Sequence, residues 1–124
     1  MDISISKILM ENLNNYLNAI FYSPYKGYVR LLNVVDVPNY TQFIECVNSQ
    51  NERCVFDDYG FCLNETLKII GEIPLCFVKN NGELSNDWEN IDNYDLFYVD
   101  ENTNEEDVIY EYDGYNNHDI SKLN

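Results

Sequence analysis

The first apolar pattern in the chain has helical spacing. Ile5, Leu9, Leu13, Tyr16, Leu17 and Ile20 recur every three or four residues, which predicts an amphipathic helix over 4–22. Asp2 or Ser4 can cap its start, and Pro24 bars its continuation. Residues 27–37 change character. A run rich in Val and Leu, closed by Pro38, predicts a strand. Asn39 then reads as the N-cap of a second helix. Gln42 stands three residues on in a capping-box arrangement, and Tyr40, Phe43, Ile44 and Val47 form the buried stripe.

Beyond this point the pattern turns to β. Residues 53–56 and 59–63 predict a hairpin around Asp57-Asp58, while 67–70 fits either a short helix opened by Asn64 or another strand. Residues 73–79 predict a strand, and Asn80-Asn81-Gly82 is a strong turn signal. A loop or short helix is expected over 83–94 around Trp88. Residues 95–100 and 108–112 predict a long hairpin joined by 101–107, and 116–124 reads as a frayed polar tail. The order implies an α+β fold. Two helices of the N-terminal half pack on one face of a mostly antiparallel sheet, which ends in an acidic C-terminal hairpin. At 124 residues, without repeat or linker, a single domain over 1–124 is expected.

Charge changes this picture. From Asn80 onward the chain carries thirteen carboxylates and one base, Lys122, so −12 of the total −15 lies there. The first 79 residues hold nine acids and six bases. Disordered acidic tails are poor in aromatic and β-branched residues. This segment contains Trp88, Tyr94, Phe97, Tyr98, Val99, Val108, Ile109, Tyr110 and Tyr112. It is therefore expected to fold, with the acidic surface concentrated in 80–113 and laid over an apolar face.

Several function classes are disfavoured. The lone histidine, His118, lies in the tail, and no nucleophile elbow, P-loop, dinucleotide fingerprint or zinc-protease motif occurs. Carboxylate pairs are too abundant to single out an acid and a base, so no enzyme and no cofactor is expected. Asp100, Asn102, Asn104 and Glu111 match part of an EF-hand loop. Glu105, however, stands where that loop needs glycine, and Asp107 where an apolar residue is usual. A solvated hairpin tip is the favoured reading of this stretch. Cys46, Cys54, Cys62 and Cys76 form no C-x-x-C pair and read as small buried hydrophobes, although Cys54 and Cys62 could face each other across the hairpin. No apolar run approaches the ~20 residues of a membrane span, and an acidic surface is repelled by anionic lipid. A cytoplasmic protein of a bacterial host is expected. Direct nucleic-acid binding is disfavoured, because seven bases against twenty-two acids leave no basic stripe for phosphates.

What remains is a basic protein partner, a nuclease or nucleic-acid-binding effector. On a strand, residues i and i+2 share a face about 6.6 Å apart. Duplex DNA carries one charge per ~3.4 Å along each strand. An acidic hairpin can therefore offer a charge density comparable to nucleic acid. The expected contact residues are Trp88, Asp92, Asp95, Tyr98, Asp100, Glu101, Glu105, Glu106, Asp107, Tyr110, Glu111 and Asp113, with the aromatics supplying contact area. In size and charge the chain resembles phage-encoded anti-defence proteins, including anti-CRISPR and anti-restriction nucleic-acid mimics. It also resembles bacterial immunity proteins that block toxin nucleases. These resemblances imply an inhibitor, of the first kind ahead of the second. An acidic soluble domain without nucleic-acid mimicry is the further alternative.

Overall fold

Ser4 opens the first helix as expected, its hydroxyl accepting from the Lys7 amide at 3.3 Å. The computed structural model, which describes residues 3–38 and 41–98, ends the helical region well before the periodicity does. Helix α1 spans Ile5–Glu11 and α2 spans Leu13–Tyr16. Asn12 breaks the run at φ −131°, and Asn18 takes a left-handed φ of 69°. Asparagine tolerates both, because its short amide can bond to nearby groups. Here the Asn18 side-chain oxygen accepts from the Arg30 guanidinium at 2.7 Å. Strand β1, Ile20–Ser23, follows at once. Ile20 thus belongs to a strand and not to the predicted helix. The run Ile20-Phe21-Tyr22 is β-branched and aromatic, which suits a pleated surface.

The second predicted helix is a correction. Residues Gln42–Asn48 form strand β3, paired on one side with β2 (Gly27–Asp36) and on the other with β4 (Arg53–Phe56). The spacing of Phe43, Ile44 and Val47 suits a helix, but Ile44 and Cys46 also satisfy a period of two, and both are buried in the core. Pairing on both edges decides between the two periods, as tertiary context commonly does. Gln42 performs no capping. Its side-chain oxygen accepts from the Ser6 hydroxyl at 3.0 Å, tying α1 to β3.

Strands β5 (Cys62–Leu63), β6 (Cys76–Val78) and β7 (Leu84–Ser85) complete the sheet. Its order among the described residues is β5-β4-β3-β2-β1-β6-β7, every neighbour antiparallel. The fold is thus mixed, with few short helices and one curled seven-stranded sheet. Gly60, in the β4–β5 turn, accepts from the amide of Leu75, just before β6, at 2.8 Å. Three strands separate β4 from β6 in the sheet, so this bond closes the curl.

Adjacent positions along a strand serve opposite faces. Phe21, Val29, Leu31, Ile44, Phe56 and Phe77 meet α1 residue Leu9 and α2 residue Tyr16 in the main core. Ile20, Tyr28 and Val78 form a second buried cluster. A bulge places both Leu31 and Asn33 opposite successive residues Cys46 and Glu45, leaving Leu32 as the extra residue. The core position after Leu31 is therefore Val34, three residues on.

The described part of the predicted strand at 95–100 forms no continuous strand; Leu96 and Tyr98 make isolated bridges to Lys79 and Ala19. Phe97 wedges between β6 and β1. Its amide donates to Val78 O at 3.1 Å and its carbonyl accepts from Ile20 N at 2.8 Å. The second hairpin arm, its 101–107 connection and the tail at 116–124 lie outside the described residues. All four cysteines are buried and unbridged.

Two glycines separate backbone strain from steric closure. Gly27 (φ +77°) has open space where a Cβ would stand, whereas a Cβ on Gly60 (φ +85°) would meet Ile5 Cδ1 at 2.7 Å and Leu75 Cβ at 3.2 Å. Gly27→Ala should cost about 1–2 kcal/mol, the left-handed penalty alone. Gly60→Ala should cost clearly more in urea unfolding followed by circular dichroism. Equal losses would show that the curl does not depend on close approach at Gly60.

Candidate protein-binding surface

The described acidic segment is held by its apolar residues. A 3-10 turn spans Trp88–Asn93. Trp88 is only 4% exposed and meets Phe21 and Phe77 edge-on, with ring centroids 5.5 and 5.2 Å away. Its indole N–H donates to Leu75 O at 3.3 Å. Ile91 is buried beside it in the same core. With these two side chains inward, Glu89 and Asp92 are left exposed, and Asp95 follows them on the surface. The predicted contact residue Trp88 is thus a core residue, and it positions the carboxylates around it.

Tyrosines hold Asp92 and a further carboxylate, Asp87. The Tyr16 hydroxyl donates to Asp92 Oδ1 across α2 and the turn. Tyr94 OH donates to Asp87 Oδ2 at 2.7 Å, and the Asn90 amide donates to the same carboxylate at 3.1 and 3.3 Å. Tyr98, 44% exposed, donates to Asn15 O at 2.5 Å. Lys79, the base at the edge of this segment, pairs with Glu83 at 3.2 Å and lies 5.3 Å from the centre of the Tyr94 ring.

The tyrosine ionisations report the same field. Burial and then the bond and charge of Asp92 raise the Tyr16 phenol well above its ordinary value. Burial and the Asp92 charge raise Tyr98 as well, and the bond to Asp87 raises Tyr94. In each case a phenolate would face a carboxylate, so the neutral form is favoured.

No family model, curated protein or solved structure matches this chain. Of the expected contact residues, Trp88, Asp92, Asp95 and Tyr98 are described, and the structure brings them onto one segment with Asp92 and Tyr98 both near Tyr16. Asp100, Glu101, Glu105, Glu106, Asp107, Tyr110, Glu111 and Asp113 lie outside the described residues, as do Asn102 and Asn104 of the EF-hand-like loop. Among the described residues, no group of three or more His, Cys, Asp or Glu is placed to hold a metal ion. No helix among them is long and apolar enough to cross a membrane.

Two features escape a reading of the sequence. One is a pocket of about 270 Å³ with Ile5 and Trp88 in its lining and Tyr59, Phe61 and Pro74 around them. The other is a set of exposed apolar residues at 59–73, including Leu67 and Ile69. Leu67, Ile69 and Ile73 keep the alternation of a strand, so nothing in their spacing separates them from a buried face, and only their exposure in the fold marks them.

Tyr16→Phe should cost about 1 kcal/mol at neutral pH through loss of its hydrogen bond. The pH dependence follows from the sign of the shift. The folded state holds the Tyr16 proton more tightly than the unfolded chain, whose phenol titrates near 10.0. The stabilisation is complete below that value and declines as pH rises beyond it. Urea titrations from pH 8 to 11 should show wild-type stability falling above pH ~10 and a shallower fall in the variant. A second check concerns the thiols. Burial pushes Cys54 up to about 11 and Cys76 up to about 12, and it raises Cys46 and Cys62 too. An aromatic disulfide reagent at pH 8 should leave the native protein unlabelled and react with all four thiols in denaturant.

Proposed function

We propose that this protein is a small acidic inhibitor that binds a basic, nucleic-acid-binding protein. The observation that carries this reading is the anchored acidic segment at 83–95. It contains Glu83, Asp87, Glu89, Asp92 and Asp95 and no base. Trp88 and Ile91 root it in the core, and Tyr16 and Tyr94 hold two of its carboxylates. Charges fixed in this way present a constant pattern to a partner, with no side-chain ordering left to occur at those positions on binding. Beyond Tyr98 the sequence adds eight more acids and one lysine, extending a field of the same sign.

Such a field attracts a groove built for phosphates and speeds encounter with it. A nuclease or other nucleic-acid-binding effector is the partner whose surface chemistry matches best. An anti-defence protein of a phage or mobile element that occupies such a groove is the leading biological role. A bacterial immunity protein against a toxin nuclease uses the same chemistry, and gene neighbourhood separates the two, since an immunity gene adjoins its toxin gene.

The test is affinity capture from the native host at 50 mM salt, followed by competition. DNA or RNA should displace the captured partner, and raising salt to 500 mM should release it. Glu89→Lys with Asp95→Lys, both on exposed positions, should slow association about tenfold or more while leaving dissociation little changed. A partner that holds this protein and nucleic acid together would exclude mimicry.

A further inference from the structure

Six large apolar side chains stand out as exposed among the described residues, and five of them lie on the stretch 59–73 or are bonded to it. These are Tyr25, Tyr59, Leu67, Ile69 and Ile73. They are joined by direct contacts and by short stretches of chain. The Tyr25 hydroxyl accepts from the amides of Glu72 and Ile73 at 2.9 and 3.0 Å, and its ring lies against Gly71. Ile69 bridges Leu63 of β5. Pro74, next to Ile73, shares the wall of the 270 Å³ pocket with Tyr59. The patch thus runs from the β1–β2 turn across residues 64–74 to the pocket.

Leu67 is the informative residue. It is 54% exposed and holds a left-handed φ of 61°. Asn64 imposes this geometry. Its carbonyl accepts from Leu67 N at 2.9 Å, and its side-chain oxygen accepts from the amides of Thr66 and Lys68 at 2.9 and 3.0 Å. Glycine or asparagine suits such a position and leucine does not. The exposed leucine serves neither the local backbone nor the core. Ile69, 55% exposed, is a second aliphatic side chain left in water on the same stretch.

We infer that this patch is the docking surface for a basic protein, whose apolar residues cover Leu67, Ile69 and Ile73. The inference rests on the reading of the chain as a binder of a basic partner, and it moves the contact area away from the acidic turn. Charge selects the occupant. A second copy brings another −15 to the surface and is repelled. Residues 57–74 and the β1–β2 turn together carry four carboxylates and two lysines, Lys26 and Lys68, so the patch keeps a net acidic balance that favours a cationic partner. An apolar centre within a charged rim is the usual anatomy of a protein interface. In this arrangement the carboxylates at 83–95 steer the encounter, and the aliphatic patch holds the complex.

The experiment uses two fluorescent 12-residue peptides, one alternating arginine and leucine, the other arginine and serine. Anisotropy is read with the full chain in 50 mM salt. The arginine–leucine peptide should bind at least tenfold more tightly. Leu67→Asn combined with Ile69→Ser should erase that advantage and leave arginine–serine binding unchanged. Leu67→Asn alone should keep or raise stability in urea, since asparagine fits the left-handed turn; a purely structural leucine would lower it. Amide shifts on adding the arginine–leucine peptide should centre on 64–74. Equal binding of both peptides overturns the patch while leaving the basic-partner reading in place. Failure of both peptides to bind overturns the reading and the patch together. Dimerisation of the free protein through 64–74, seen by sedimentation and lost in the double variant, also overturns the assignment.

Discussion

Burial of Trp88 between Phe21 and Phe77 is the contact on which the rest of the arrangement depends. It joins the turn at Trp88–Asn93 to β1 and β6 by two edge-to-face ring contacts and one indole hydrogen bond to Leu75 O. Edge-on aromatic pairs add to the large area such rings bury. That apolar attachment holds an acidic segment against a protein already rich in negative charge. It also completes the wall of the pocket beside Tyr59 and Pro74. The same indole therefore underlies the acidic turn and one end of the apolar patch.

Charge and apolar surface are divided between different parts of the molecule. The described residues carry thirteen carboxylates and six bases, a net −7, so slightly more than half of the total −15 lies on other residues. Five of the described acids lie at 83–95, whereas the exposed stretch Leu67, Ile69 and Ile73 is interrupted only by Lys68 and Glu72 among charged residues. In the proposed complex, long-range attraction and short-range contact area would be supplied by different side chains. This division matches the general finding that charge governs association rate and buried apolar groups govern retention.

Some elements were legible because local and global preferences agree. The strand at 27–37 and the turn at 80–82 carry their own signals, and both occur; 83–94, open to a loop or a short helix, forms the 3-10 turn at Trp88–Asn93. The helix predicted over 4–22 is half right. Its spacing is continuous through Ile20, but Asn12 and Asn18 interrupt the backbone and β1 claims Ile20. The second helix misled for a related reason. Phe43, Ile44 and Val47 fit either period, and the Asn39–Gln42 signature favours a helix only while no neighbouring strand competes. Trp88, placed among the contact residues because tryptophan is a common interface anchor, is taken up by the core instead.

What the sequence determined by itself is the sign and polarity of the charge, the mixed use of helix and strand, the hydrophobic character of the cysteines and the main turns. These are properties of composition and of neighbouring residues. Tertiary structure alone decided that residues 42–48 are a strand, that the sheet curls until Gly60 meets Leu75, and that Tyr16 holds Asp92. It also decided that Leu67 and Ile69 remain in water while Trp88 does not. Each of these outcomes depends on residues far apart in the chain coming together, and a local pattern cannot specify which of two compatible partners a side chain will meet.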